Sequence, residues 1–567
     1  HNDPFPFTFA GGSVKNPATS SPSLLYTPLI TRPFTMTTTM LDQLRSTFAL
    51  SKDRLAPIVD GFNAETKHGL KTPSKGLATM IPSFVTALPT GNETGTYMAL
   101  DLGGTNLRVS AVRLLGNGQV EVLEVKKIAT NDLKNGPCDP FFDWMAEAVK
   151  ELVTVKAKHL FKPAQVDGTE TLSLGVCWSF PVDQTSFSQG TMLRMGKGFI
   201  LNGYEGQDLA ELFHRAFERK NVNVRVTALI NDTVGTLVAA AYANPHTRIG
   251  FIFATGVNAA YPEKLSNIPK LSSEDVQKYG GDNPDAEMLI NTEIDIFGND
   301  SYLPLTKYDK ELDANHSQPG FQPYEKMLSG AYLGEITRLV ALDFIHEGHL
   351  FGGAIPKGWD TPWSFATAQM GTLERDTHPD RQTSIELLTK TFEFQQAPTV
   401  EDITTLTEIC KIVATRAASL VAVAIASMIE QQDLHITNDK DIIIGMNGST
   451  YEFYPYMEER IHRSLKEWFG TEVSDRIRFE IARDGGSIGG ALIAMLCENS
   501  EASHASTPSA NSDTTTIKED DTKIASKDDQ DVSEVKKDKK KKDLLFGCIP
   551  LHSIRAFLGQ HSKGVEA

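Results

Sequence analysis

Cysteine is scarce in this chain, with five residues in 567, at Cys138, Cys177, Cys410, Cys497 and Cys548. They are scattered and form no Cys-x-x-Cys pair, which argues against a disulfide framework or a zinc site and points to a reducing compartment. No apolar run reads as long enough to cross a bilayer, which takes roughly 20 residues. Residues 1–40 are rich in Ser, Thr and Pro but hold only Lys15 and Arg32 as bases. They lack both the order of a secretory signal and the arginine content of a transit peptide, so a disordered lead-in is expected. The chain opens on His1, which suggests a processed or fragmentary start. An excess of basic charge is also missing. Lys and Arg number 55 against 72 Asp and Glu, a net charge of −17, which argues against a global nucleic-acid footprint. A P-loop is absent: five residues separate Gly190 from Gly196-Lys197, where that motif needs four, and Gly198 stands where Ser or Thr should. There is no protein-kinase catalytic loop.

What is present is an ordinary soluble composition, 40% hydrophobic and 22% charged, on a chain too long for one core, so two lobes are expected. Apolar residues at Leu41, Leu44, Phe48 and Leu50 predict an opening helix. Tyr97–Leu100 and Leu107–Val112 read as antiparallel strands around the turn Asp101-Leu-Gly-Gly-Thr-Asn106. Further strands are expected at Leu172–Val176, Val224–Ile230, Gly250–Phe253, Asp441–Ile444 and Phe479–Ala482. Each runs into a polar or Gly-rich turn, several followed by a helix. Helices are predicted at Thr233–Tyr242, Ala331–Ile345, Ile409–Ile429 and Ala491–Cys497. Strand, turn and helix in this repetition describe an α/β protein whose loops gather at strand ends. After Cys497 the composition shifts to Ser, Thr, Asp and Lys, a disorder signature. Within it, the run Lys536–Lys542, broken only by Asp538, reads as a solvated tail, with nuclear import or an anionic surface as alternatives.

Phosphoryl transfer needs backbone N–H groups brought close to phosphate by glycine, an oxygen ligand for Mg²⁺, and a carboxylate in line with the attacking hydroxyl. The chain offers four Gly-rich turns, three with Asp at or beside them. Singly, each has a plain reading. Asp101–Thr105 could be a hairpin turn, Asn231-Asp232 a helix cap, and Thr255-Gly-Val-Asn258 and Gly445-Met-Asn-Gly-Ser449 strand exits.

Taken in order, the blocks Leu100–Val109, Ser179–Ser186, Lys197-Gly-Phe199, Ile230–Leu237, Thr255–Asn258, Asn291-Thr-Glu293, Thr306–Asp309 and Ser329–Glu335 resemble the hexokinase family, from about residue 41 to 497. The resemblance implies an α/β, two-lobed, actin-like ATPase (ribonuclease-H-like) fold with disordered N- and C-terminal extensions. It also implies ATP and Mg²⁺ as cofactors, a hexose or amino-sugar substrate, no membrane span, and a cytoplasmic location. The implied division is a lead-in over 1–40, a helical segment over 41–90 packed on the large lobe, a small lobe over 91–230 and a large lobe over 231–484. A closing helix over 485–497 returns to the small lobe, and a charged low-complexity tail over 498–567 follows. By resemblance, Asp232 is the base on the sugar 6-hydroxyl and Lys197 its catalytic partner. Ser179, Lys197, Asn231, Asp232, Asn258, Glu293 and Glu325 form the sugar cage. Asp101, Gly103, Gly104, Thr105, Asn106, Thr255, Gly448 and Ser449 bind the nucleotide, with Asp101 near Mg²⁺ through water.

The departures from the family pattern carry information. Gly196 stands where glucose-type members usually have Thr, and Ile294-Asp295 where they usually have Trp-Gly or a similar pair. Ala254 replaces a usual Gly, and Gly486-Ser487 reverses the usual order. Trp178 before Ser-Phe-Pro, Glu293-x-x-x-Phe-Gly298 and Phe321-Gln-Pro323 resemble the fungal N-acetylglucosamine kinase branch. N-acetylglucosamine is therefore the expected acceptor. The alternatives are a glucose- or mannose-directed hexokinase, a hexokinase-like regulatory protein with little turnover, and, more distantly, a carbohydrate-binding module.

Overall fold

The computed structural model describes residues 34–74, 78–103, 106–193, 195, 198–436 and 440–505. The lead-in before residue 34, the tail with its Lys536–Lys542 run and Cys548, and Gly104, Thr105, Gly196 and Lys197 lie outside the described residues.

The strands that build the two main sheets begin, in chain order, with β1 (Ile81–Pro82), β2 (Thr94–Gly103), β3 (Asn106–Gly116) and β4 (Gln119–Ile128). β5 (Leu172–Trp178) and β6 (Val224–Ile230) follow, then β7 (Thr247–Phe253), β8 (Val257–Lys264) and β9 (Glu287–Asn291). β10 (Ile442–Asn447) and β11 (Ile477–Ile481) close the series. One sheet has the order β6-β5-β2-β3-β4 and the other β1-β9-β8-β7-β10-β11. Both use the same plan. A three-stranded antiparallel meander, β2–β4 or β7–β9, is extended beside its first strand by two parallel strands, β5 and β6 or β10 and β11. This doubled topology is the two-lobed actin-like architecture. Parallel strands are covered on both faces, and β5 and β6 accordingly read as nearly continuous apolar runs.

The helices that bear on the site are α1 (Phe34–Phe48), α2 (Lys52–Lys71), α3 (Asp232–Ala243), α4 (Pro323–Leu328), α5 (Val400–Gln431) and α6 (Gly490–Ala505). α3 packs on β7, and α6 on β5 and β2. Val234, Leu237, Ala491 and Leu492 from these helices share one buried cluster with Ala99, Cys177 and Ala228 of one sheet and Ala260 and Leu289 of the other. A layer of two helices thus fills the space between the sheets. The approach is close: a Cβ on Gly175 would lie 2.1 Å from the Gly490 carbonyl oxygen.

Three sequence expectations shift. α1 starts at Phe34, ahead of the boundary at 41, because the threonines before Met40 carry helical backbone without an apolar stripe. α6 continues past Cys497 to Ala505 through a polar stretch that gave no periodic signal. The expectation of no spanning run meets α5, whose most apolar 18-residue window has a mean hydropathy of 2.0, enough by length and composition to cross a bilayer. That window is 94% buried inside the protein, because α1, α2 and the helix Met457–Phe469 surround α5. Cys138, Cys177, Cys410 and Cys497 are buried, and none of them is in a disulfide.

α5 also carries a buried charge. Arg416, 1% exposed, donates from Nη1 and Nη2 to Asp309 at 2.7 Å each, and its guanidinium lies 4.4 Å from the Phe48 ring centre. Removing one partner of such a pair strands the other. Asp309→Ala is expected to lower unfolding stability by about 3–5 kcal/mol in urea titration, and adding Arg416→Met should recover part of that loss.

Candidate active site

The site is assembled where strands of both sheets end. β6 stops at Ile230, and Asn231 caps α3, its side-chain oxygen accepting the Thr233 N–H at 2.8 Å. Asp232 is the first helical residue and stands at the positive end of the α3 dipole. Thr236 Oγ1 donates to the Asp232 carbonyl at 2.9 Å, which fixes the first turn. Ser179 follows the end of β5.

The second sheet supplies an amide and carboxylate network. Asn258 Nδ2 on β8 donates to Asn291 Oδ1 at 2.9 Å and to Glu293 Oε1 at 3.1 Å, and Asn291 Nδ2 donates to Glu293 Oε1 at 2.6 Å. Glu293 itself adopts a left-handed backbone, φ 51°, which turns the chain out of β9 and into the cleft. Glu325, in the first turn of α4, accepts the Val257 N–H at 3.0 Å, and a Cβ on Gly256 would come within 2.8 Å of that carboxylate. Asp295 is buried; its Oδ2 accepts from Gln322 Nε2 at 2.6 Å, while Oδ1 has no hydrogen-bond partner.

A cleft of about 500 Å³ opens among these groups, lined by Ser179, Asn231, Glu293 and Asp295 with Trp178 and Phe321. Of the expected sugar-cage residues, Ser179, Asn231 and Glu293 line it directly. Asn258 joins through its bond to Glu293, Glu325 lies behind it on the Val257 N–H and within the field of Asp295, and Asp232 adjoins Asn231. Lys197 lies outside the described residues. Sequence reading did not place Asn291 or Gln322 in the site, and used Asp295 only as a departure. Their signal was positional: Asn291 and Asp295 each stand two residues from Glu293, and Gln322 three from Glu325.

The expected nucleotide residues fall in two groups. Asp101, Gly103 and Asn106 sit at the β2–β3 turn, where no described residue beyond the chain neighbours comes within 4 Å of a Cβ built on Gly103. Arg108 bridges Asp101 at 2.7 Å and Asp484 at 2.9 Å. On the other sheet, Thr255 and Gly448-Ser449 are drawn together around Ala254, whose carbonyl accepts from Gly330 N and from Thr450 Oγ1, both at 2.8 Å. Gly448 is held at φ 123°, and a Cβ there would lie 2.5 Å from the Phe253 carbonyl oxygen.

Withdrawal from water, then the neighbouring Asp295 charge, push Glu293 up to about 8 and Glu325 up to about 7. Burial raises Asp295 as well. Between the ordinary carboxylate value of 4.5 and these raised values, the native state holds protons that the unfolded chain has released. Stability of the ligand-free protein should therefore fall as pH rises through that window and level off above about 8. Substituting Glu293→Gln and Glu325→Gln together is expected to flatten the decline, read from urea midpoints at intervals from pH 5 to 8; an unchanged slope would assign it to other groups.

Comparison with known proteins places this geometry. Residues 40–242 and 248–496 match two successive family models, each described as Hexokinase. Hexokinase-1 of Schizosaccharomyces pombe is 35% identical over 458 residues, covering 80% of this chain and 90% of that protein. Hexokinase-2 of Oryza sativa subsp. japonica is 36% identical over 461 residues, with 80% and 90% covered. Among solved structures, hexokinase from Schistosoma mansoni complexed with glucose superposes with a TM-score of 0.66 at 29% identity, covering 81% of this chain and 99% of that one. With the doubled sheet, the polar cleft and the motif series in one order, the chain belongs to the hexokinase family of ATP-dependent hexose kinases.

Proposed function

We propose that this chain transfers the γ-phosphoryl group of Mg-ATP to the 6-hydroxyl of a hexose, and that its preferred acceptor bears an acetamido group at C2, as N-acetylglucosamine does. The observation that carries the acceptor choice is Asp295 Oδ1, a buried acceptor without a partner on a residue that lines the cleft two positions from Glu293. Leaving such a group unsatisfied costs about 1–3 kcal/mol, which an acetamido N–H would relieve. Phe321 and Trp178 supply apolar surface for the methyl group. A second reading has its own support: the hexokinase names of the relatives, and the glucose in the Schistosoma mansoni structure, favour glucose.

In this reading Asn231, Asn258, Glu293 and Glu325 bind the sugar hydroxyls. Asp232 accepts the 6-hydroxyl proton late, as the new P–O bond forms, which a loose transition state tolerates. Lys197 would offset charge on the transferring group. The residues around Asp101 fit magnesium held mainly by phosphate and water. One 9%-exposed carboxylate already paired with Arg108 suits an indirect contact, and among the described residues no group of three or more His, Cys, Asp or Glu is arranged to hold a metal. Bound there, the ion would neutralise phosphate charge. The turn at Gly103, with Thr255 and Gly448-Ser449, would hold the phosphates through backbone N–H groups.

Asp232→Ala should lower kcat by about 10²–10⁴-fold while sugar binding, followed by tryptophan fluorescence, persists; loss of binding instead would make Asp232 structural. ADP release should be fastest with N-acetylglucosamine among glucose, mannose, fructose and N-acetylglucosamine, and Asp295→Ala should erode that preference. Fastest turnover on glucose would remove the acetamido reading and leave the kinase intact. Sugar binding without turnover on any of the four would point to a regulatory protein.

A further inference from the structure

Lys270 lies away from the proposed cage and holds together three pieces of chain. Its Nζ donates to the Gly69 carbonyl at 2.8 Å, Ser74 Oγ at 3.0 Å and the Thr79 carbonyl at 3.1 Å. Its own backbone N–H donates to the Leu70 carbonyl at 3.3 Å. An ammonium has three donors and all three are used, on neutral acceptors rather than on a carboxylate. Burial draws its pKa down to about 8. Gly69 and Leu70 belong to the last turn of α2, where a cation is favoured by the helix dipole.

The third acceptor points to a role. Thr79 lies between Ala78 and β1, and both Ala78 and Ile81 line the proposed sugar cleft. The same segment is stitched to the strand that leads into Glu293: Met80 N donates to the Thr292 carbonyl at 3.0 Å, and Ile81 pairs with Asn291. One face of this wall is therefore fixed by β9 and the other by Lys270. An exposed lysine could meet its donors with water; this one spends all three on joining the end of α2 to the cleft wall.

We propose that Lys270 is a positioning residue for the acceptor sugar, which sets the depth of the wall formed by Ala78 and Ile81 and so acts on sugar affinity rather than on phosphoryl transfer. This rests on the reading that the sugar binds in this cleft. The test is steady-state kinetics of the full chain with the best sugar and with ATP varied in turn. Lys270→Met is expected to raise the sugar KM about tenfold while kcat and the ATP KM stay within about twofold. Ser74→Ala, which removes one of the three acceptors and leaves both carbonyls in place, should raise the sugar KM about two- to threefold. An unchanged sugar KM in Ser74→Ala and Lys270→Met, or an equal rise in both KM values, would overturn the proposal. Should Lys270→Met fail to fold, Ser74→Ala decides alone. Glu293→Gln separates the two levels of argument. If it leaves the sugar KM unchanged, the cleft reading falls; if it raises that KM while Lys270→Met and Ser74→Ala do not, only the role of Lys270 falls.

Discussion

Three carboxylates, Glu293, Asp295 and Glu325, are withdrawn from bulk water at one cleft with amides and a backbone N–H as their main partners, and the rest of the site is organised around that fact. Such groups either keep their protons or wait for donors. A polyol brings donors in number and no charge, so it suits this cleft better than an anion, which the carboxylates would repel. The amides of Asn258 and Asn291 both donate to Oε1 of Glu293 and hold it in place, and neither engages its second oxygen. The raised proton affinity and the expected sugar chemistry are thus two consequences of the same under-donated acids.

Those acids can face Asn231 and Asp232 only because the two sheets are held at a fixed separation. The layer of α3, α6 and the turn Gly485–Gly489 ahead of α6 does this, and several of its close contacts are to backbone: a Cβ on Gly235 would meet the Gly485 carbonyl oxygen at 2.4 Å, and one on Gly489 would meet the Gly235 carbonyl oxygen at 2.1 Å. Asp232 opens α3 and Gly490 opens α6, so the proposed base and the helix that returns to the β2 sheet share one packed seam. A shift of one lobe against the other would be felt there first, since these backbone contacts have little room to give way.

Local signals made the strands that carry the motifs legible. Val224–Ile230 and the helix after Asn231 were readable from an apolar run followed by a cap, and the antiparallel pair around Gly103 from turn chemistry. What escaped was what depends on partners distant in sequence. β9, Glu287–Asn291, has no alternating pattern because it is buried between β8 and β1. Gln322 lines the cleft and bonds Asp295, 27 residues before it, and Lys270 bonds carbonyls about 200 residues away, contacts that no short motif encodes. α5 was recognised as a helix, but its surroundings, which decide that its apolar face meets protein, are tertiary.

The turns expected to face the nucleotide depart from the family pattern, and each departure is matched by its neighbours. Gly486 stands where the family pattern has a serine, and a Cβ there would lie 2.6 Å from the Asp101 carboxylate, so glycine leaves room for the Asp101 position that Arg108 holds. The serine is displaced by one residue, to Ser487, whose Oγ accepts from Ser110 Oγ at 3.0 Å with both side chains buried. A lone buried hydroxyl at either place would be unsatisfied; together they bind the turn to β3. Ala254, in place of a glycine, has Gly330 and Gly448 against it, and a Cβ on Gly448 would approach the Ala254 Cβ to 2.8 Å. The extra methyl group is therefore accommodated by the glycine at 448, while Gly330 lies against the Ala254 carbonyl. These departures leave Asp101, Thr255 and Gly448-Ser449 at the ends of their strands, the arrangement on which the proposed phosphate-binding role rests.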